Sequence, residues 1–198
     1  MSRPAAAAGE PGSEGILRVT VSSAYRWLSL DPETLLSACG QARFQGSGPG
    51  GQKRNRVYSG VRLTHPESGL SAESVDSRAS LRNLHAALSR LRLHIALAAD
   101  LDADSARDPA TGPDGDQAGP GRAGQPAFRA DANPAHADFP GFALRALHQL
   151  ARQRGQLAAA AAALGCTASA LTRFYKSDKA VWTKARAIRE ANGLHPLK

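Results

Sequence analysis

The stretch V57-Y-S-G-V-R-L-T-H-P-E-S-G-L-S-A-E-S-V-D76 decides how the first half of the chain folds. Val57, Val61 and Leu63 alternate along the first part, His65 to Gly69 supply a Pro and Gly turn, and LSAESVD follows, which predicts a β-hairpin. Downstream, Leu81, Leu84, Leu88, Leu91 and Ile95 recur at helical spacing, while Arg78, Arg82, Ser89 and Arg92 fall largely elsewhere. That pattern predicts one amphipathic helix packed on the hairpin. Upstream, Asp31 followed by Pro32 reads as the cap and first turn of a short helix whose apolar face carries Leu35, Leu36 and Cys39. Residues 16 to 21, ILRVTV, suit a short strand or an extension, so residues 1–24 are expected to be disordered or extended ahead of a folded domain at 25–99.

Charge divides the remainder. The 198 residues carry a net +8, made up of −1 over residues 1–42, +6 over 43–92, −5 over 100–138 and +8 over 139–198. The acidic stretch is dense in Gly, Pro, Ala and Asp and reads as a disordered linker over 100–138. Residues 139–198 read as a second, all-helical module. In it Gly165 marks a tight turn, Thr167 a cap, Leu171, Phe174 and Tyr175 an inward face, and Gly193 a final C-cap. A helix-turn-helix and a plain helical bundle both satisfy this pattern. The fold class is α+β for the first module and all-α for the second.

The basic balance favours an anionic partner, nucleic acid first. No stretch approaches the roughly 20 apolar residues of a membrane span, and MSRPAAAAGEPGSEG lacks the apolar core of a secretory signal. A cytoplasmic, monomeric protein is expected. Cys39 and Cys166 are far apart, show no metal-ligand spacing and read as small buried residues. Neither a metal nor a cofactor is called for.

The most unusual run is G46-S-G-P-G-G-Q-K-R-N-R56. As a phosphate-binding P-loop it fails, because Gln52 precedes Lys53 and no Ser or Thr follows. Gly46, Gly48 and Gly51 satisfy GxGxxG, a weak match here because a helix is read as leading into the loop and no helix start follows. A simple surface loop accounts for the glycines but leaves the clustered cations unexplained.

Ser47-Gly-Pro-Gly-Gly-Gln52, then Asn55, then Ser59-Gly-Val-Arg-Leu-Thr-His65, then a turn ending in Gly69, then Arg78-x-x-x-Arg82-Asn83, together resemble the catalytic domain of class I peptide chain release factors. The resemblance covers roughly residues 31–95 and implies a peptidyl-tRNA ester hydrolase that works on the ribosome. It assigns the catalytic role to Gly50, Gly51 and Gln52, loop support to Ser47, Gly48, Pro49 and Asn55, and RNA contact to Lys53, Arg54, Arg56, Arg78 and Arg82. Arg90 and Arg92 extend the same basic footprint. Gln45 stands where the family often has Lys or Arg, and Tyr58 is a further departure.

The chemistry of the loop agrees with such a role. Gly-Gly-Gln contains no group that titrates near neutrality, so it does no acid–base work of its own. It brings bare backbone against an ester and offers a main-chain N–H to the developing oxyanion. The resemblance implies that the Gln52 amide does this while its side chain shapes the site.

Codon-reading relatives carry a separate domain, which finds no counterpart here. The expectation is therefore a codon-independent, ribosome-rescue type of factor. Its partners would be large-subunit ribosomal RNA, the P-site peptidyl-tRNA, the mRNA channel through the C-terminal module, and a glutamine methyltransferase. In that module Arg145, Arg152, Arg154, Arg173, Lys176, Lys179, Lys184 and Arg186 are the candidate RNA contacts. A non-catalytic RNA or ribosome binder, and a DNA-binding regulator led by the C-terminal helices, are the competing readings.

Overall fold

A computed structural model describes residues 18–45, 58–101, 127–195 and 197. The expected catalytic and loop-supporting residues, Ser47, Gly48, Pro49, Gly50, Gly51, Gln52 and Asn55, lie outside them, as do Lys53, Arg54 and Arg56. The described residues form helices α1 (Val21–Leu28) and α2 (Pro32–Ala38), strands β1 (Gly40–Phe44), β2 (Gly60–Thr64) and β3 (Ser71–Ser74), and helix α3 (Ser80–Ala98). Four further helices follow: α4 (Phe139–Arg152), α5 (Leu157–Ala163), α6 (Ala168–Lys176) and α7 (Lys179–Ala191). The fold is α+β, as the hydrophobic patterns predict.

The hairpin forms as read. β2 and β3 pair antiparallel, with Leu63 opposite Ala72 and Arg62 opposite Glu73. Period two puts Val61, Leu63 and Ala72 under α3 and leaves Arg62 outside, bonded through Nη2 to Glu73 at 3.0 Å. The turn closes on a buried histidine. His65 stacks edge-on to Trp27 with centroids 4.6 Å apart, and its Nδ1 lies 2.9 Å from the Ser68 hydroxyl. Trp27 Nε1 and Arg26 both donate to Glu67, tying α1 to the hairpin turn. Asp31 caps α2 through the Glu33 and Thr34 amides.

β1 departs from the expectation of a helix running directly into the glycine-rich loop. Gly40–Phe44 is an edge strand, paired antiparallel to β2 with Phe44 opposite Gly60. Its residues are exposed or half-buried, so it has no apolar alternation to betray it. A strand thus does precede GxGxxG. The dinucleotide reading fails for a different reason: a βαβ unit needs parallel strands, and this pair is antiparallel.

Two boundaries also move. Residues 21–24 are the first turn of α1, capped by the Thr20 hydroxyl on Ser23 N, and so do not belong to an extended N-terminal segment. Leu101 is buried at one end of the expected linker. Near the other end Ala132 is buried, and Phe128 packs against Phe142 and Phe174 with centroids 6.1 and 5.3 Å apart. The central part, 102–126, lies outside the described residues.

The two expected modules share one apolar core. α3 packs against β2 and β3 on one side and against α1, α4 and α7 on the other. Burial from both sides explains two misplaced residues. Leu81, assigned to the apolar face, is 63% exposed because the sheet does not reach that first turn. Arg92, assigned to the RNA footprint, is only 7% exposed because it points toward α1 and α4 and donates to Leu28 O at 3.0 Å.

The helix-turn-helix expectation gains geometry. α5 and α6 meet at 97°, within the roughly 90–120° of that motif. Gly165 takes the turn at φ +70°, where a side chain would be strained, and the Thr167 hydroxyl accepts from Ala170 N. Leu171, Phe174 and Tyr175 face inward as read, and the Tyr175 hydroxyl donates to Ala146 O at 2.8 Å, fixing α6 to α4. Among the described residues no single helix is long and apolar enough to cross a membrane.

Burial holds the His65 imidazole below its ordinary value of 6.5, so the folded state resists a proton that the unfolded chain accepts. Stability is therefore lost as pH falls through the unfolded value. The thermal midpoint should drop between about pH 7.5 and 5.5, and His65→Gln should flatten that dependence. Thermal melts of both proteins across that range check it.

Candidate functional site: the base of the glycine-rich loop

Residues 45–59 connect β1 to β2, and the connection starts and ends on a register pair, Phe44 and Gly60. The paired strands fix where the intervening chain begins and ends. Gly60 allows this closure. A Cβ there would stand 2.8 Å from Phe44 O and 2.9 Å from Val75 Cγ1, too close without moving β1.

Asn83 holds the returning strand. It is fully buried in α3 and uses its whole carboxamide. Nδ2 donates to Ser59 O at 2.7 Å and to Ser77 O at 2.8 Å. Oδ1 accepts from Ser77 N at 2.8 Å and from the Ser74 hydroxyl at 3.4 Å. One side chain therefore ties the end of the loop, the end of β3 and the start of α3 together. Asn83 belongs to the Arg78-x-x-x-Arg82-Asn83 string, yet residue type alone gave it no role; its sequence signal is a polar side chain at a helix-face position that continues into Ala87 and Leu91.

Around this anchor the surface is basic. Arg78 and Arg82 are exposed and form no ion pair among the described residues. Arg82 lies in the first turn of α3, where a cation opposes the helix dipole, and the N-cap Ala79 provides no side-chain bond. Intramolecular stability does not explain a cation there. Tyr58, 60% exposed, directly precedes Ser59, the residue that Asn83 holds.

Other expected contacts serve the fold. Arg90 donates to Glu73 O at 2.7 Å and pairs with Asp76 at 2.5 Å. Lys184 is half-buried, and its ammonium bonds the Leu97 and Ala99 carbonyls at the end of α3, which withdraws it from the RNA set. Arg173 and Lys176 are exposed along α6, with the Lys176 ammonium 5.3 Å from the centre of the Trp182 ring. Arg152, Arg154, Lys179 and Arg186 are exposed, while Arg145 is half-buried. His85 is exposed, and Cys39 is buried. Among the described residues no three His, Cys, Asp or Glu side chains gather as a metal site would require.

Residues 39–122 match the family described as the RF-1 domain, and the match spans β1, the loop, the hairpin and α3. Over these residues the chain is similar to the class I peptide chain release factors. It is 42% identical over 52 residues to peptide chain release factor 1 of Amoebophilus asiaticus, covering 26% of this chain and 15% of that protein. It is 38% identical over 66 residues to peptide chain release factor 1 of Cytophaga hutchinsonii, covering 33% and 18%. Peptide chain release factor 2 of Acholeplasma laidlawii is 43% identical over 49 residues, covering 25% and 13%. The chain thus spans less than a fifth of the length of these relatives. No solved structure gives a significant match.

Replacing Asn83 by Ala removes the carboxamide from two buried carbonyls and one amide, and should cost about 2–3 kcal/mol of stability. Gly60→Ala should cost about 1–3 kcal/mol by overpacking against β1. Urea unfolding of the two variants against the parent chain checks both values.

Proposed function

We propose that the release-factor domain hydrolyses the ester of peptidyl-tRNA in the ribosomal peptidyl-transferase centre, independently of a stop codon, and so releases peptides from stalled ribosomes. The observation that supports this reading is that the sequence Gly50-Gly51-Gln52 falls within the RF-1 domain match, between two strands that pair at Phe44 and Gly60.

In this mechanism the protein supplies position and electrostatics. The paired strands and Asn83 fix the two ends of the connection that carries the Gly-Gly-Gln run. Gly50 and Gly51 let the main chain approach the ester, and the Gln52 N–H stabilises the transition-state oxyanion or the departing tRNA hydroxyl. Water is the nucleophile; ribosomal RNA and tRNA provide the remaining groups. Ser47, Gly48, Pro49 and Asn55 shape the loop. Lys53, Arg54, Arg56, Arg78 and Arg82 meet RNA phosphates, which gives a purpose to Arg78 and Arg82, outside the ion pairs of the described residues. The C-terminal helices add RNA contacts through Arg173 and Lys176 on α6. A monomer acting in the cytoplasm, with Gln52 open to methylation by a dedicated enzyme, completes the proposal.

Single-turnover release from ribosomes carrying peptidyl-tRNA on an mRNA without a stop codon tests the chemistry. Gln52→Pro removes the N–H and should slow release on the order of 100-fold or more while binding persists. Equal release by the two proteins would contradict the assignment, and binding without release by either would favour a non-catalytic ribosome binder.

Deleting residues 139–198 would strip α4 from α3 and disturb the shared core, so charge reversal is the cleaner test of the C-terminal contacts. Arg173→Glu with Lys176→Glu should weaken ribosome binding and reduce its salt dependence by about two units of slope. An unchanged slope in pelleting assays across salt concentrations would remove α6 from the interface.

A further inference from the structure

A cavity of about 370 Å³ lies where α1, the N-terminus of α2, α3 and the start of α4 meet. Buried Arg92 lines it from α3. Its Nη2 is occupied by Leu28 O, but its Nε has no hydrogen-bond acceptor, an uncommon condition for a buried donor. Burial holds the Arg92 guanidinium below its ordinary value, an effect that Asp138, lining the same cavity, opposes; as N-cap of α4 its carboxylate makes no cap bond. Arg145 adds a second guanidinium, and Tyr25 and Phe142 add aromatic surface. Gly141, also in the lining, faces open space: a Cβ there would meet no atom within 4 Å.

The mixed charge narrows the occupant. A bare anion would meet the carboxylates of Asp31 and Asp138, and a bare cation would meet Arg92 and Arg145. A ligand suited to both offers acceptors to guanidinium N–H groups and donors to a carboxylate, on a flat body that packs against aromatic rings. Guanine has that pattern. Its O6 and N7 accept, its N1–H and exocyclic amine donate, and unstacked RNA bases are commonly held between hydrogen bonds and aromatic side chains.

We infer that this cavity receives one unstacked guanine of RNA, with Arg92 and Arg145 on its O6/N7 edge and Asp138 on its N1–H and amine edge. The inference rests on the reading of the chain as RNA-binding and gives that reading a base-specific contact away from the glycine-rich loop.

Calorimetric titration of the full chain with GMP, AMP and inorganic phosphate tests the chemistry, and a uridine nonamer with or without one central guanosine tests the source. GMP should bind at least tenfold more tightly than AMP or phosphate, and the guanosine-containing nonamer at least tenfold more tightly than the all-uridine one. Gly141→Leu fills the cavity from a helical position with room for it, so GMP binding should be lost while the thermal midpoint holds. Asp138→Asn should erase the preference for GMP over AMP. Equal binding of GMP and AMP, binding of phosphate alone, or undiminished GMP binding by Gly141→Leu would overturn the site. GMP binding without a guanosine-dependent gain in the nonamer would make the free mononucleotide the occupant and overturn the RNA assignment. These titrations need neither ribosomes nor ester hydrolysis, so their failure and a failure of the hydrolase reading are separately visible.

Discussion

Helix α3 is buried from two sides, and most of the remaining structure follows from that constraint. Leu88, Leu91 and Ile95 exclude water between the helix, the sheet and the packed helices, while Asn83 uses the same buried position to bind polar backbone instead. Burying a carboxamide is tolerable only when all its donors and acceptors are met, and here each bond goes to a different part of the loop base or to the entry of α3. The end of the connection between β1 and β2 is thereby tied to a deeply buried part of the fold. Hydrophobic burial fixes α3, and Asn83 passes that rigidity to Ser59.

The second face of α3 joins the halves of the molecule. α4 lies along it, α1 packs against both, and Lys184 of α7 closes the carbonyls at the end of α3. A helical module that shares this core has a set orientation relative to the glycine-rich loop, which a freely tethered one would lack. If α6 contacts RNA through Arg173 and Lys176, its reach is then measured from the same body that carries the loop. Under the proposed function, binding energy collected elsewhere would help position the Gly-Gly-Gln run.

The distribution of arginines separates stability from recognition. Arg62 and Arg90 are spent on Glu73, Asp76 and backbone, and Arg92 is drawn into the interior. Arg78 and Arg82 remain outside the ion pairs of the described residues, at the helix end where positive charge is least favourable. A basic composition alone treats all five alike.

Periodicity determined the hairpin, the helix that covers it and the inward face of α6, because alternation and 3.6-residue spacing are local consequences of burial on one side. The Ser-Gly-Pro-Gly-Gly-Gln run, with the hairpin and the Arg78 to Asn83 string, carried the resemblance to release factors. β1 was not legible because an exposed edge strand takes its structure from hydrogen bonds to a partner, and those bonds leave no apolar pattern. Leu81 and Arg92 exchanged their expected environments because sequence shows how a helix divides its faces but not how far its neighbours extend. The role of Asn83, the loss of Lys184 from the basic surface and the cavity beside Arg92 depend on residues distant in the chain meeting in space. Only tertiary packing decided them, since the energy of a buried polar group is set by the partners that surround it.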